Sequence, residues 1–419
     1  ATLISADKID FQLITIGIIL GSIIGLLFAI KVEMTQMPQM VAIFNGFGGG
    51  ASALVAASEF LKLGSHSSFT LSTIMFSIFV GTLTFTGSFI AFGKLQGFIS
   101  GKPIIFPGNK VFNALVAIIL IYLSFQIVNY KFILPGQSVD LTFFYALIAL
   151  SALIGVTLTI PIGGADMPVV ISLLNSYSGI AAAATGFVLM NNGLIISGAL
   201  VGASGIILTN IMCKGMNRSL ANVIFGAMGS SDETESSAGG KQIQVKSYST
   251  EEAAMIFDAA EKIIVVPGYG LAVAQAQHAV REVAEFLEGK EKQVLYAIHP
   301  VAGRMPGHMN VLLAEANIPY EQLKDLDETN PEFEDCDVAL ILGANDVVNP
   351  GARHDTSSPI YGMPILDADK ARTVMINKRT MNTGFAGIQN ELFGYDNSIM
   401  IFGDAKDMLQ QLLKDLKDL

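Results

Sequence analysis

A glycine-rich run beginning at Pro267 has the residue types needed to bind a dinucleotide pyrophosphate. It follows the β-branched stretch Lys262–Val266 and opens a helical pattern. Glycines let the backbone approach a phosphate closely, and the first N–H groups of a helix point at anions. The candidate contact residues are Gly268, Tyr269, Gly270, Ala272 and Val273. The sixth position of the motif is Val273 rather than Gly or Ala, so a plain strand-to-helix turn is the alternative interpretation.

Basic residues follow two predicted strands where an NAD site would carry an acid. An NAD site usually places Asp or Glu after its second strand to bind the ribose hydroxyl. Here the strand Gln293–Ile298 is followed by no carboxylate, and Arg304 lies just beyond it. Lys378 and Arg379 follow another strand. Because a 2′-phosphate favours Arg and Lys donors, NADP(H) is the expected ligand. A solvated pair is the alternative for Lys378 and Arg379.

Two further loops follow predicted strand ends. They are Gly343-Ala344-Asn345-Asp346 and Gly403-Asp404-Ala405. Ligands of doubly wound sheets bind at the carboxyl ends of the strands, so these loops are expected to line the same site. Taken singly, each loop could be only a helix N-cap.

The elements that position these loops alternate between strand and helix. The remaining predicted strands are Val338–Leu342, Thr373–Lys378 and Ser398–Phe402, and the predicted helices are Glu251–Ala260, Leu271–Glu288 and Lys406–Leu416. This alternation predicts an α/β, doubly wound, Rossmann-like domain with a parallel sheet over residues 250–419.

The first half of the chain has a different composition. The 419 residues are 51% hydrophobic and 15% charged, with a net charge of −11, and residues 1–218 hold nine basic and six acidic side chains. Seven apolar stretches reach the ~20 residues that cross a bilayer. They are Phe11–Ile30, Met40–Phe60, Phe69–Phe92, Val111–Val128, Leu141–Ile160, Met167–Met190 and Gly193–Cys213. We expect a multi-span helical membrane domain over 1–214, because stretches apolar on every face do not fit a soluble core. The acidic second half excludes nucleic acid as a partner.

Charge distribution and the intervening segment set the expected topology. Six basic residues fall on the side of the C-terminal domain and three on the opposite side, so that domain is expected in the cytoplasm or its mitochondrial equivalent. Residues 215–249, rich in small and polar side chains from Gly229 onward, are expected to be a flexible linker.

Few polar groups occur in the membrane half. Asp166 begins the sixth predicted span, Asn175 lies within it, and Asn45 lies early in the second. Polar groups at membrane depth are costly unless paired or hydrated, so the three are candidates for function. An interfacial N-cap is the alternative for Asp166, and interhelical hydrogen bonds are the alternative for both asparagines. The glycine patch at 46–50 is expected to serve close helix packing.

The chain resembles the beta subunit of proton-translocating NAD(P) transhydrogenase over nearly its whole length. The matching segments are Lys31–Pro38, Ala165–Val170, Leu174–Gly179, Pro267–Gly270, His299–Asn310, Gly343–Asp346 and Lys378–Arg379. The resemblance implies hydride transfer between NAD(H) and NADP(H) while protons cross the membrane, by an enzyme of the Si-specific/Re-specific type. It implies that NAD(H) binds to a partner alpha subunit, with a dimer of alpha-beta units in a bacterial inner or mitochondrial-type membrane.

The resemblance also assigns roles to residues. Gly268 to Val273, Arg304 with Met305 and Pro306, Asn345 with Asp346, and Lys378 with Arg379 would hold NADP(H), and no metal is implied. Asn45, Asp166 and Asn175 would line or gate the proton path. Arg218, just after the last span, is a candidate for coupling on position alone.

Two departures from the family pattern bear on these roles. Some members have a histidine at the position of Asn45, so a water chain or a partner group must carry the proton here. Some members have further spans before the first one in this chain. Two other functions fit the same residues: a nucleotide-gated transporter or channel with an NADP-sensing domain, and a structural membrane anchor for a dehydrogenase.

Overall fold

The computed structural model describes residues 11–62, 67–101, 103–133, 141–225, 244–358, 360–384 and 386–419. Their backbone contacts divide them into two compact units. The first takes the described residues within Ala1–Gly101, Phe106–Ile160 and Leu173–Gly205, and the second those within Lys102–Ile105, Pro161–Ser172 and Ile206–Leu419.

Seven helices among the described residues are long and apolar enough to cross a membrane. They are α1 (Phe11–Lys31), α2 (Met37–Leu61), α3 (Ser68–Gln96), α4 (Asn109–Ile133), α5 (Leu141–Thr159), α6 (Met167–Val188) and α7 (Asn192–Gly215). The seven predicted spans are confirmed with small shifts at their ends, and the chain is a membrane protein.

Local sequence explains where several of these helices begin and end. Pro38 and Pro168 lie in the first turns of α2 and α6, where a missing N–H breaks no hydrogen bond. The side chain of Ser67 accepts a hydrogen bond from the N–H of Thr70 and caps α3. Gly97 ends that helix with φ of 83°, a left-handed conformation that glycine adopts readily.

Glycines let α2 and α3 pack with their backbones in contact. A Cβ atom at Gly81 would lie 2.4 Å from the carbonyl oxygen of Gly49, and one at Gly49 would lie 2.8 Å from that of Gly81. No side chain fits at either position. The glycine patch of α2 therefore serves close helix packing, as expected from the sequence.

The second unit contains a six-stranded sheet with the order β3-β2-β1-β4-β5-β6, all parallel. The strands are β1 (Lys262–Pro267), β2 (Gln293–Ala297), β3 (Leu323–Lys324), β4 (Val338–Leu342), β5 (Thr373–Lys378) and β6 (Ser398–Phe402). Its helices are α8 (Leu220–Phe225), α9 (Thr250–Ala259), α10 (Tyr269–Val273), α11 (Gln277–Gly289), α12 (His308–Glu315), α13 (Leu326–Thr329), α14 (Gly351–His354) and α15 (Ala405–Asp418). The Rossmann-like prediction is confirmed, and this strand order places its switch point between β1 and β4.

The sequence prediction missed β3, which is only two residues long and too short to show an alternating pattern. The main-chain N–H of Ile298 donates to the carbonyl of Lys324 at 2.8 Å, which extends the pairing at this edge of the sheet.

The single helix predicted over Leu271–Glu288 is wrong, because the chain breaks between α10 and α11. Gln275 has φ of 49°, and the N–H of Ala276 donates to the carbonyl of Leu271. These are the marks of a Schellman helix end, which glycine usually provides. With glutamine in that place, the sequence carried no stop signal.

The central strands are buried on both faces, as parallel strands covered by helices must be. Every residue of β4 is buried, and α15 turns Met408, Leu409 and Leu412 into the core. About half of the predicted linker, 226–243 within 215–249, lies outside the described residues. Within its described parts, Leu220–Phe225 is helical and Ser247 pairs with Met400 of β6.

Candidate functional site

The glycine turn after β1 and the loop after β4 meet backbone to backbone at the switch point of the sheet. The N–H of Gly268 donates to the carbonyl of Leu342, and the N–H of Gly270 donates to that of Gly343 at 3.0 Å. A Cβ at Gly268 would lie 2.5 Å from the Cα of Ala344, and one at Gly343 would lie 2.3 Å from the Cα of Gly270. The glycines are therefore required by this contact between loops, independently of any ligand.

Arg304 and Tyr269 contact each other beside this turn. The guanidinium carbon of Arg304 lies 4.3 Å from the centre of the Tyr269 ring, in cation–π geometry. The main-chain N–H of Arg304 donates to Nδ1 of His308, and Gly303 makes the preceding bend with φ of 106°. A partly exposed guanidinium beside a glycine turn can bind a phosphate oxygen.

Two other predicted residues of this segment, Met305 and Pro306, continue the same loop. The side chain of Met305 is buried and that of Pro306 is half-buried. Met305 therefore contributes to the packing that holds the loop.

The loop after β4 and the end of β5 are joined by side-chain hydrogen bonds. Nζ of Lys378 donates to Oδ1 of Asn345 at 3.1 Å and to the carbonyl of Asn382 at 2.8 Å. Nδ2 of Asn345 donates to Oδ1 of Asp346, and Oδ2 of Asp346 accepts from the N–H of Ala386. The predicted residues Asn345, Asp346 and Lys378 therefore form one network.

Lys378 is partly buried in this network. Its Nζ lies 4.7 Å from the centre of the Phe393 ring. Burial lowers the pKa of this ammonium from its ordinary value, and the nearby Asp346 carboxylate works against that shift. A bound phosphate would compensate the desolvated charge, so the surroundings favour an anionic ligand.

Three residues of this edge were missed by the sequence analysis. Nδ2 of Asn390 donates to the main-chain carbonyl of Asn345, and Nδ2 of Asn377 donates to those of Ile401 and Gly403. A Cβ at Gly384 would lie 2.5 Å from Oδ1 of Asp346. No motif marked these positions, although Asn377 falls next to Lys378 within a predicted strand.

The remaining predicted residues of the sheet edge differ in exposure and in local role. Arg379 is exposed, Ala272 is buried and Val273 is half-buried. Asp404 caps α15 by accepting from the N–H of Lys406 at 3.0 Å, which is the alternative that the sequence left open. Gly403 has φ of 146° and the side chain of Ala405 is buried.

His299, which follows β2, is a buried histidine with a defined hydrogen-bond pattern. The N–H of Val301 donates to its Nδ1, and its Nε2 lies 2.8 Å from the carbonyl oxygen of Pro364. An acceptor Nδ1 and a donor Nε2 identify the neutral ring. Burial lowers the pKa of His299 to about 4, against the raising effect of the Pro364 carbonyl. The neutral ring therefore ties the end of β2 to the 364 region near pH 7.

Asp166, predicted for the proton path, and Arg218, predicted for coupling on position alone, form an ion pair within the second unit. Nη1 of Arg218 lies 3.2 Å from Oδ1 and 3.0 Å from Oδ2 of Asp166. The preceding residue, Asn217, donates a hydrogen bond from Nδ2 to the main-chain carbonyl of Tyr361 at 3.1 Å. The segment after the last span thus contacts both Asp166 and a loop that follows α14.

Asn45 and Asn175 lie in the first unit, on α2 and α6. Asn45 is buried, and Asn175 is half-buried. Each has helix neighbours with small or hydroxyl side chains on its own face, such as Gly48 and Ser178. Both asparagines therefore lie where helices pack.

The chain matches known proteins over its whole length. A family model described as NAD(P) transhydrogenase beta subunit matches residues 1–415. Two curated relatives described as NAD(P) transhydrogenase subunit beta come from Rhodospirillum rubrum and from one strain of that species. Each is 51% identical over 422 residues, which cover 99% of this chain and 89% of the relative.

Proposed function

The chain belongs to the NAD(P) transhydrogenase beta subunit family, and we propose that it binds NADP(H) and couples hydride exchange with NAD(H) to proton movement across a membrane. NAD(H) binds to a partner alpha subunit in this proposal. The nucleotide domain lies on the cytoplasmic or matrix side of a bacterial inner or mitochondrial-type membrane, which the six-to-three bias of basic residues supports.

The observation that carries the nucleotide proposal is the lining of the switch point. The pyrophosphate fits against the glycine turn after β1, beside the guanidinium of Arg304. Strands in a sheet lie about 4.8 Å apart, so Lys378 on β5 is roughly 10 Å from the first strand of the switch. That separation suits the ribose 2′-phosphate, for which Lys378 and Arg379 provide two adjacent cations.

Hydride transfer between two nicotinamide rings needs no acid or base from the protein, because the cofactors supply the chemistry. The work of this chain is to bind and orient one of them. The interlocked β1 and β4 turns and the Asn345, Asp346 and Lys378 network provide a fixed frame for that purpose.

The ion pair of Asp166 and Arg218 supports the coupling proposal. Protonation of Asp166 would remove the charge that holds Arg218, and Asn217 would transmit the change to the loop at Tyr361. If protonation changes nucleotide affinity in this way, then nucleotide binding must change proton affinity by the same factor. Asn45 and Asn175 line the path in this scheme, and residues 215–249 tether the nucleotide domain, 250–419, to the membrane domain, 1–214.

The decisive test is coupled turnover in proteoliposomes that contain this subunit and its alpha partner. NADPH and an NAD analogue are added, and analogue reduction and internal pH are followed together. Reduction in step with proton movement supports the proposal. Ion flux without NADPH consumption would indicate a nucleotide-gated channel, and reduction without proton movement would indicate a membrane anchor.

The variant Arg218→Gln tests the coupling residue in the same vesicles. We expect coupled turnover to fall about tenfold or more, because the partly buried carboxylate loses its charged partner. NADP should still bind, but its affinity should no longer respond to protonation of Asp166. Lys214→Gln removes an exposed basic charge one helical turn earlier and serves as the matched control. Equal turnover in the two variants would remove Arg218 from the coupling scheme.

A further inference from the structure

Gly215, the last residue of α7, lies against the loop that follows β2, and both belong to the second unit. A Cβ at Gly215 would lie 3.3 Å from the Cβ of Pro300 and 3.4 Å from Cγ1 of Val301. Carbon atoms in good contact lie about 3.5–4.0 Å apart, so any side chain here would push the loop. The end of the last span therefore packs directly on the segment that leads from β2 to Arg304.

The segment between this contact and Arg304 is held at both ends by hydrogen bonds. The N–H groups of Val301 and Ala302 donate, respectively, to Nδ1 and to the main-chain carbonyl of His299. The N–H of Arg304 donates to Nδ1 of His308 at 3.1 Å. Because these bonds fix the backbone, a shift of the loop at Val301 is carried to Arg304. The end of α7 thus sets the position of a residue that we place beside the pyrophosphate.

Asn217, two residues after Gly215, joins α7 to a second loop. It ends the helix with φ of 49°, and the N–H of Arg218 donates to the carbonyl of Cys213 at 2.9 Å, as in a Schellman motif. This helix end directs Nδ2 of Asn217 at the main-chain carbonyl of Tyr361, 3.1 Å away. A Cβ at position 362 would overlap with the same Nδ2, so the amide occupies the space that the glycine there leaves.

His299 joins the two loops to each other. Its Nε2 lies 2.8 Å from the carbonyl oxygen of Pro364, and its Nδ1 accepts from the N–H of Val301. The end of α7 therefore contacts a pair of loops that are tied together, the first through Gly215 and the second through Asn217. A movement of this helix end displaces both loops.

The second loop leads on to the hydrogen-bond network around Lys378. Its residues Ile360 and Met363 belong to a buried cluster, and Ala386 packs against that cluster. The N–H of Ala386 donates to Oδ2 of Asp346 at 3.0 Å. Asp346 belongs to the network that holds Nζ of Lys378. Packing and hydrogen bonds therefore connect the end of α7 with the proposed contact to the 2′-phosphate.

We infer that the end of α7 is a positioning element for NADP(H). Gly215 sets the position of Arg304 through the loop after β2. Asn217 sets the position of Lys378 through the second loop. The inference rests on the proposed NADP(H) binding and names the segment that regulates its affinity. This segment acts by steric contact, in addition to the charge of Asp166. Because bound nucleotide holds both cations in place, it also restricts the end of α7, and the two effects are reciprocal.

The test is a double-mutant cycle on the NADP affinity of the full chain in detergent, measured by calorimetric titration. Gly215→Val should weaken NADP binding about tenfold, the loss expected when one charge-assisted hydrogen bond is misaligned. In the Arg304→Gln background the same substitution should cost less than about twofold, because the residue through which it acts is already absent. Losses that add in the double variant would overturn the inference, since a general loosening of the domain acts independently of Arg304.

Gly289→Val is the matched control. Gly289 is also the last residue of a helix, α11, but nothing lies within 4 Å of its Cβ position, so NADP affinity should stay at the natural value. Gly215→Ala adds a single carbon and should weaken binding about two- to threefold, because a smaller group displaces the loop less. This variant decides the question if Gly215→Val lacks a cooperative unfolding transition in calorimetry. A natural NADP affinity in Gly215→Ala and in any folded Gly215→Val would overturn the inference.

Asn217→Gly tests the second contact, because glycine keeps the left-handed helix end and removes only the amide donor. NADP affinity should fall about two- to tenfold, as for the loss of one hydrogen bond, and should fall no further in the Lys378→Met background. An unchanged affinity would overturn the role of Asn217. If the natural chain binds no NADP, the proposed function and this inference both fail. If it binds NADP and Gly215→Val binds equally well, the inference alone is overturned.

Discussion

The nucleotide domain and the helix bundle hold their polar groups in opposite ways. At the carboxyl edge of the sheet, Gly268 and Gly343 bring the backbones of the turns after β1 and β4 into contact. This contact leaves the two turns one possible arrangement. In the bundle, the hydroxyls of Ser77 and Thr185 lie 2.7 Å apart and share the main-chain carbonyl of Ala181 as an acceptor. Their hydrogen bonds can therefore take two arrangements. The comparison indicates that changes at the sheet edge should cost stability or affinity, whereas changes to this hydroxyl pair should cost little stability.

The largest effect is expected for Gly343→Ala, which would break the contact between the β1 and β4 turns. The left-handed φ of 68° costs an alanine about 1–2 kcal/mol, and the clash with Gly270 adds roughly 1–3 kcal/mol. Calorimetry of the full chain in detergent should therefore show the nucleotide-domain transition several degrees lower.

Gly387→Ala separates the two contributions. Gly387 has φ of 71° and nothing within 4 Å of its Cβ position, so only the backbone cost of about 1–2 kcal/mol is expected. Equal destabilisation by the two variants would show that the contact between the two turns contributes no stability. The sheet edge would then not differ from the bundle in this respect.

His299 predicts a pH dependence confined to the nucleotide domain. Its pKa of about 4 is below the unfolded value of 6.5, so the unfolded chain takes up a proton first as pH falls. Stability is therefore complete above pH 6.5 and is lost as pH falls toward 4, by up to about 3 kcal/mol.

The measurement is the unfolding free energy of the full chain at pH 7 and pH 5, compared between the natural protein and His299→Gln. The variant should be less stable at pH 7 and lose less on acidification. His278→Gln, which changes an exposed histidine on α11, should follow the natural pH profile. If the unfolding free energy of His299→Gln fell with pH as it does in the natural protein, groups other than His299 would cause the loss of stability in acid.

Lys378→Met should weaken NADP binding about 10- to 100-fold, because a charge-assisted phosphate contact contributes roughly 1.5–3 kcal/mol. NAD has no 2′-phosphate, so its affinity should change little. Calorimetric titration of the full chain with both nucleotides measures the difference. Lys370→Met removes an exposed lysine that pairs with Glu334 and provides the control. An equal loss of affinity for NADP and for NAD would show that Lys378 does not bind the 2′-phosphate.

The same comparison explains what the sequence could and could not predict. Parallel strands place all their carboxyl ends at one edge, so a strand pattern alone grouped Gly268, Asn345 and Lys378 correctly. The strand pattern missed Asn390 and Gly384, because they lie in irregular loops whose sequence has no periodic pattern. It also missed the break after α10, where Gln275 replaces the usual glycine.

In the bundle, no comparable rule relates one helix to another. The seven apolar stretches were visible because bilayer thickness fixes their length. Their pairing was not, since every face of such a helix is apolar and a serine carries no signal of its partner. The bond between Ser77 and Thr185, 108 positions apart, depends on packing between nonadjacent helices. The pair of Asp166 and Arg218 was missed for the same reason, although each residue was singled out.

The smallest expected effect is the stability change of Thr185→Val. Interhelical hydrogen bonds of polar side chains in membrane proteins contribute on average about 0.6 kcal/mol, because the partners find other acceptors when the bond is lost. Here Ser77 can still donate to the carbonyl of Ala181. The bundle transition in calorimetry should therefore move by a degree or two at most. A loss of stability as large as that of Gly343→Ala would place the hydroxyl pair in the same class as the glycine contact, as a fixed structural element rather than a pair with two usable arrangements.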